Sequence, residues 1–232
     1  MRAVRPASER GHFDFGWLDT NHSFSFGEYH DPSHMGWRSL RVLNEDRVQA
    51  GQGFGTHGHR DMEILTWVLE GALEHRDSLG THGIIRPGDA QVMSAGTGIR
   101  HSEFNGSAEA PVHFLQIWIL PREQGLPPRY DQIAIEESLF RNQWKRIAGP
   151  DPEPGSIRIF QDVEVSVARL DPGSSLAVAV PAGRFGYLHV ARGEVTADSL
   201  ALSAGDAVKF DAQERFEVRA GRDSELLLFN LA

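Results

Sequence analysis

An all-β sandwich or barrel, built twice along the chain, is the fold class this sequence predicts. Three observations carry that expectation: short runs rich in β-branched and aromatic residues, turn residues that punctuate them, and the absence of long helical periodicity. The clearest strand candidates are EILTWVL (63–69), VHFLQIWIL (112–120), VEVSVARL (163–170) and ELLLFNL (225–231). Turns are marked by Glu70-Gly71, Pro87-Gly88-Asp89, Asp171-Pro172-Gly173 and Ala204-Gly205-Asp206.

Taken in order, the N-terminal stretch alternates aromatic and polar residues, with Phe13, Phe15, Trp17, Phe24 and Phe26 as the apolar set. Alternate positions on a strand share a face, so these side chains form either ordinary core or the wall of a pocket for a flat ring. The segment GQGFGTHGHRDMEILTWVLEG (51–71) follows, with His57 and His59 at i and i+2 beside glycines. On a strand both imidazoles point to one side and can meet at one ion; an exposed pair on a wet face is the bland alternative. A second pair with the same spacing, His101 and Glu103 in GTGIRHSEFN (96–105), strengthens the metal reading. Two such pairs supply three imidazoles and a carboxylate. Glu63 shares strand parity with His57 and His59, so it either orients a ligand histidine, lines a cavity or faces solvent. His22, His30, His34, His75, His82 and His113 have no partner motif and read as surface or supporting residues.

Residues 121–154 differ in composition, with Pro127-Pro128, a modest helical candidate over 131–140, and the run Gly149-Pro-Asp-Pro-Glu-Pro154. They read as a connector. Beyond them, LHVARGEV with SAGDAVK (188–209) echoes WVLEGALE with RPGDAQV (67–92), which predicts repetition of one β unit. Of the 11 histidines only His189 lies in the second half, so histidine chemistry belongs to the first.

Composition limits the partners. The chain of 232 residues is 40% hydrophobic and 24% charged with a formal net charge of -9, and no Lys/Arg cluster suited to phosphate contacts is visible. No nucleic-acid partner is expected. With no cysteine, thiolate metal sites and disulfides are excluded, and any ion must be held by nitrogen and oxygen. The N-terminal MRAVRPASERGHFDF lacks an apolar h-region, and no run approaches the roughly 18 apolar residues of a membrane span, so a cytoplasmic protein with no membrane partner is expected.

Gly51, His57-Gly58-His59 and Glu63, followed by His101 and Asn105, resemble the two motifs of the cupins. More narrowly, residues 16–32, 50–71 and 93–105 resemble the pirin family, including Gly96-Thr97-Gly98 where cupins at large carry Pro-x-Gly. The resemblance implies a bicupin: an N-terminal metal-binding cupin domain (1–130), a connector (131–154) and a C-terminal cupin-like domain without a metal motif (155–232). It also chooses a carboxylate that spacing leaves open, making His57, His59, His101 and Glu103 the expected ligands. Three imidazoles and one carboxylate leave open positions, which suits six-coordinate Fe(II), Ni(II) or Mn(II) better than closed tetrahedral Zn; Fe(II) leads these expectations, with Cu also compatible. The resemblance further implies a quercetin 2,3-dioxygenase-like oxidoreductase acting on a flavonol, with Glu103 accepting the enol proton. The alternative it offers is a redox-responsive regulatory module that works through a protein partner without turnover.

Overall fold

A computed structural model describes residues 2–151 and 153–232. The strands, in chain order, are β1 (Ala3–Arg5), β2 (Gly11–Asp14), β3 (Leu18–His22), β4 (Leu40–Val48), β5 (Gly53–His59), β6 (Glu63–Glu70), β7 (Leu73–Asp77), β8 (His82–Ile85), β9 (Asp89–Ser94), β10 (Ile99–Asn105) and β11 (Val112–Ile119). They continue as β12 (Arg129–Ala134), β13 (Lys145–Gly149), β14 (Ile157–Arg158), β15 (Val163–Leu170), β16 (Ser175–Val178), β17 (Phe185–Arg192), β18 (Glu194–Ala197), β19 (Leu200–Ser203), β20 (Ala207–Asp211), β21 (Phe216–Ala220) and β22 (Ser224–Leu231). The four strand candidates of the sequence are β6, β11, β15 and β22. Among the described residues the only helical pieces are two 3-10 turns, and no helix is long and apolar enough to cross a membrane.

Two compact units result. The first comprises residues 11–135 and 150–161, the second residues 1–10, 136–149 and 162–232. Each is a pair of antiparallel sheets. In the first, the large sheet runs β12-β9-β6-β11-β4-β3-β2 and the small one β5-β10-β7-β8. In the second, the corresponding orders are β1-β20-β17-β22-β15-β13 and β16-β21-β18-β19. The echo in the sequence is thus structural: β6 to β9 and β17 to β20 occupy matching places, and the turns after β6 and β17 each carry a positive-φ glycine, Gly71 and Gly193.

The linear boundaries expected at 130 and 155 do not coincide with these units. The sheet edge beside β20 is taken by β1, in the register Ala3↔Lys209 to Arg5↔Ala207, so the chain begins in the second unit before building the first. The expected helix over 131–140 is also corrected. Residues 129–134 form β12, which pairs with the open edge of β9 in the register Arg129↔Ser94 to Ala134↔Asp89, and only Glu137–Leu139 make a single 3-10 turn. An unpaired edge offers a full row of backbone hydrogen bonds, and that outweighs a weak helical propensity.

Strand alternation builds the cores. In the first unit Leu18, Val48, Val68, Leu73, Ile85, Val112 and Phe114 form one buried cluster, and Ile64, Met93, Ala95 and Ile99 another. The second unit is filled continuously by residues of both its sheets, among them Val178, Leu188, Val195, Phe210, Phe216, Val218 and Leu228. Each Val, Leu, Ile, Met or Phe among them contributes about 1.5–3 kcal/mol by leaving water.

Candidate metal centre

The small sheet of the first unit turns a histidine-rich face inward. β10 pairs with β5 so that His101 lies directly across from His57, and the register then shifts, with Glu103 opposite Phe54. Two residues of β10 therefore span three on β5, a bulge that re-aims the strand beside the site. Gly53 permits the close approach: a Cβ there would collide with the Glu103 carbonyl oxygen.

Three imidazoles converge. The Nε2 atom of His101 lies 2.9 Å from Nε2 of His59 and 3.1 Å from Nε2 of His57. His57 donates its Nδ1–H to the Gly55 carbonyl at 2.9 Å, which leaves its Nε2 a bare lone pair. Spacings near 3 Å are those of nitrogens that share one ion, whose bonds to imidazole run about 2.0–2.1 Å. Burial, followed by the charge of His57, lowers His59 to a pKa of about 4. Burial and then His57, His59 and His75 push His101 down to about 2. Near neutral pH both rings are therefore neutral, as ligation requires.

Glu103 is buried two residues beyond His101, on the same face, and accepts a hydrogen bond from Gln116 Nε2 at 2.8 Å. Burial and then the charge of Asp46 push its pKa up to about 8, against the opposing effect of Gln116. A divalent ion beside this carboxyl would favour its charged form. Its oxygen groups with His75 and His101, all within 4.8 Å of one another, while His57, His59 and His101 form the other such group. His101 belongs to both.

Several side chains sit differently from the expectation. Glu63 is buried, neither facing solvent nor touching a ligand histidine: it accepts hydrogen bonds from Ser94 Oγ at 2.9 Å and from the Phe160 N–H at 3.3 Å. It anchors the segment 150–161 to β6. His22, His75 and His113 are buried, whereas His30 and His82 are exposed. His113 pairs with Glu45 at 2.9 Å, within the large sheet. For His75, read from the sequence as a surface or supporting residue without a partner motif, the structure shows a partner in Asp77. His75 lies across from Glu103 on β7, and Asp77 lies across from His101. The signal was present: His75-Arg-Asp77 has the same i, i+2 spacing as the two recognised pairs.

A cavity of about 230 Å³ in the first unit is walled by Phe13, Phe15, Phe26 and Phe54, with Thr20 and Asp46 among its polar residues; none of His57, His59, His101 and Glu103 lines it. Phe54 is the register partner of Glu103. Asp46 accepts a 2.5 Å hydrogen bond from Thr20, and burial raises its pKa to about 7. Of the five N-terminal aromatics, Phe13, Phe15 and Phe26 line this cavity, Trp17 packs edge-on to Phe54, and Phe24 is core. A shallower groove lined by His59, Arg60, Ser78 and Arg100 opens to solvent on the same sheet.

Comparison with known proteins agrees with this architecture. The family model described as Pirin matches residues 3–119, and one described as Quercetinase C-terminal cupin domain matches residues 146–231. The chain is 44% identical over 231 residues to a quercetin 2,3-dioxygenase of Escherichia coli (strain K12), covering 100% of this chain and 99% of that protein. Among solved structures it resembles the bacterial pirin YhhW in complex with nickel(II) from Escherichia coli, at 43% identity and a TM-score of 0.93, covering 100% and 99% of the two chains. A quercetin 2,3-dioxygenase from Acinetobacter baumannii shares the fold at 22% identity and a TM-score of 0.79, with 98% and 85% covered.

Proposed function

The chain belongs to the pirin family, and on that premise we propose that its first unit is a metal-dependent dioxygenase centre that cleaves quercetin-type flavonols. The observation that carries this reading is the convergence of His57, His59 and His101 through Nε2. These three residues and Glu103 hold the ion; Fe(II) is our choice, and the nickel(II) complex of the related pirin supports a divalent transition metal. When bound, the ion supplies Lewis acidity and a route for electrons to dioxygen.

The chain's own residues do the rest. The flavonol ring lies between Phe13, Phe15 and Phe26, whose faces suit a flat aromatic body. Thr20 and Asp46 at the polar end take its hydroxyls. Glu103, shielded from water, accepts the enol proton, and Gln116 keeps one carboxylate oxygen oriented. The half-buried His59 borders an open groove, so one edge of the centre is reachable from solvent.

The test is metal analysis of the purified protein beside its His101→Ala variant, with quercetin bleaching under oxygen. Stoichiometric metal and turnover, both lost in the variant, are expected. Bound metal with no turnover of quercetin or related flavonols would move the assignment to the regulatory module.

A further inference from the structure

The proton on each ligand imidazole must sit away from the ion, and something has to put it there. For His57 it is the Gly55 carbonyl. His101 has no carbonyl in that place. Its Nδ1 lies 3.4 Å from Nδ1 of His75, a contact that holds a single proton and is, taken alone, symmetrical. The asymmetry comes from one residue further on: Nε2 of His75 lies 3.1 Å from Oδ2 of Asp77, and both side chains are wholly shielded from solvent.

Asp77 is itself held. Its other oxygen, Oδ1, accepts the backbone N–H groups of Leu79 at 2.9 Å and Thr81 at 3.0 Å in the turn after β7. A carboxylate only accepts, so the neutral His75 carries its proton on Nε2 and presents a bare Nδ1. His101 then carries its proton on Nδ1, donates it to His75, and turns its Nε2 lone pair toward His57 and His59. The Tyr130 ring, 4.6 Å from that of His75, packs against it.

We propose that Asp77 and His75 are positioning residues that select the metal-binding tautomer of His101 and thereby set the affinity of the centre. The proposal rests on the reading of His101 as a ligand. Such outer partners typically change metal affinity about 10–100-fold when altered.

Nitrogen-15 NMR of histidine-labelled, zinc-loaded full-length protein tests it directly. The expected pattern is His101 protonated on Nδ1 with zinc on Nε2, and His75 protonated on Nε2 with no metal. In Asp77→Asn the side-chain carbonyl stays with Leu79 and Thr81, so its NH2 faces His75 Nε2 and reverses both tautomers. A nickel(II) dissociation constant about 10–100-fold higher is expected in that variant. Zinc on His75, a bare Nδ1 on His101, or unchanged nickel affinity in a folded Asp77→Asn would overturn the relay while leaving the metal centre standing. Should the variant not fold, the tautomers of the parent protein still decide. Failure of the parent to bind zinc or nickel at all would overturn the metal reading, and the relay with it.

Discussion

The small sheet of the first unit places His57, His59, His75, His101 and Glu103 on one face; the matching strands of the second unit carry Leu176, Val178, Val195, Phe216 and Val218. Strand order is the same in both sheets, so the fold does not make the site. In the second unit apolar side chains interdigitate and need no partner beyond one another. In the first, buried nitrogens and oxygens must find partners, and Nε2 of His101 lies 2.9 and 3.1 Å from Nε2 of His59 and His57, the grouping on which the proposed metal centre rests. One barrel fills its interior with apolar side chains, and its twin gathers imidazoles and carboxyl groups there.

The largest test of that contrast is loss of the ion. His101→Ala should take metal content from one equivalent to background and abolish flavonol bleaching, while His189→Gln, in the core of the second unit, should leave metal content unchanged. Equal loss in both would end the contrast. Next in size, Phe210→Ala should destabilise the second unit by about 3–5 kcal/mol in urea unfolding, because Phe210 is fully buried, with metal binding retained.

The third is a pH effect confined to the first unit, where the carboxylates pushed upward, Asp46, Glu63 and Glu103, all reside. Asp46 is raised from 3.8 to about 7, so the native state keeps a proton that the unfolded chain releases. Its contribution to stability is intact below about 3.8 and is lost as pH rises through about 7. Asp46→Asn stays neutral. In metal-stripped protein it should gain on the parent as pH rises across that window, by on the order of 2–4 kcal/mol, read from chemical denaturation at a series of pH values. A gain that grows toward acid pH would refute the assignment. Smallest, Phe15→Ala should raise KM for a flavonol about three- to tenfold and shift stability by no more than about 0.5 kcal/mol, since Phe15 is 56% exposed. A changed melting temperature with unchanged KM would make Phe15 a packing residue instead.

Much of this could be read along the chain. The β-branched and aromatic runs at 63–69 and 112–120, bounded by turn residues, are a local signal of strands, so β6 and β11 were visible without a structure. The i, i+2 spacings of His57/His59 and His101/Glu103 work the same way, because strand geometry alone puts each pair on one face. Residues 131–140 misled because their backbone partner, the edge of β9, is remote in sequence. Glu63 was ambiguous for a similar reason: its partners Ser94 and Phe160 are 31 and 97 residues away.

By itself, then, the sequence determined the all-β class, the repetition, and which side chains of ligand type share a strand face, all of which follow from local periodicity. Only the tertiary structure decided that β5, β7 and β10 lie side by side, which is what brings His75 and Asp77 behind His101, gives Glu63 to the segment 150–161 instead of to the ion, and gathers Asp46 and Glu103 away from water. Register between strands far apart in sequence is set by the pairing of whole sheets, and burial, with the pKa shifts it causes, exists only once those sheets have closed on each other.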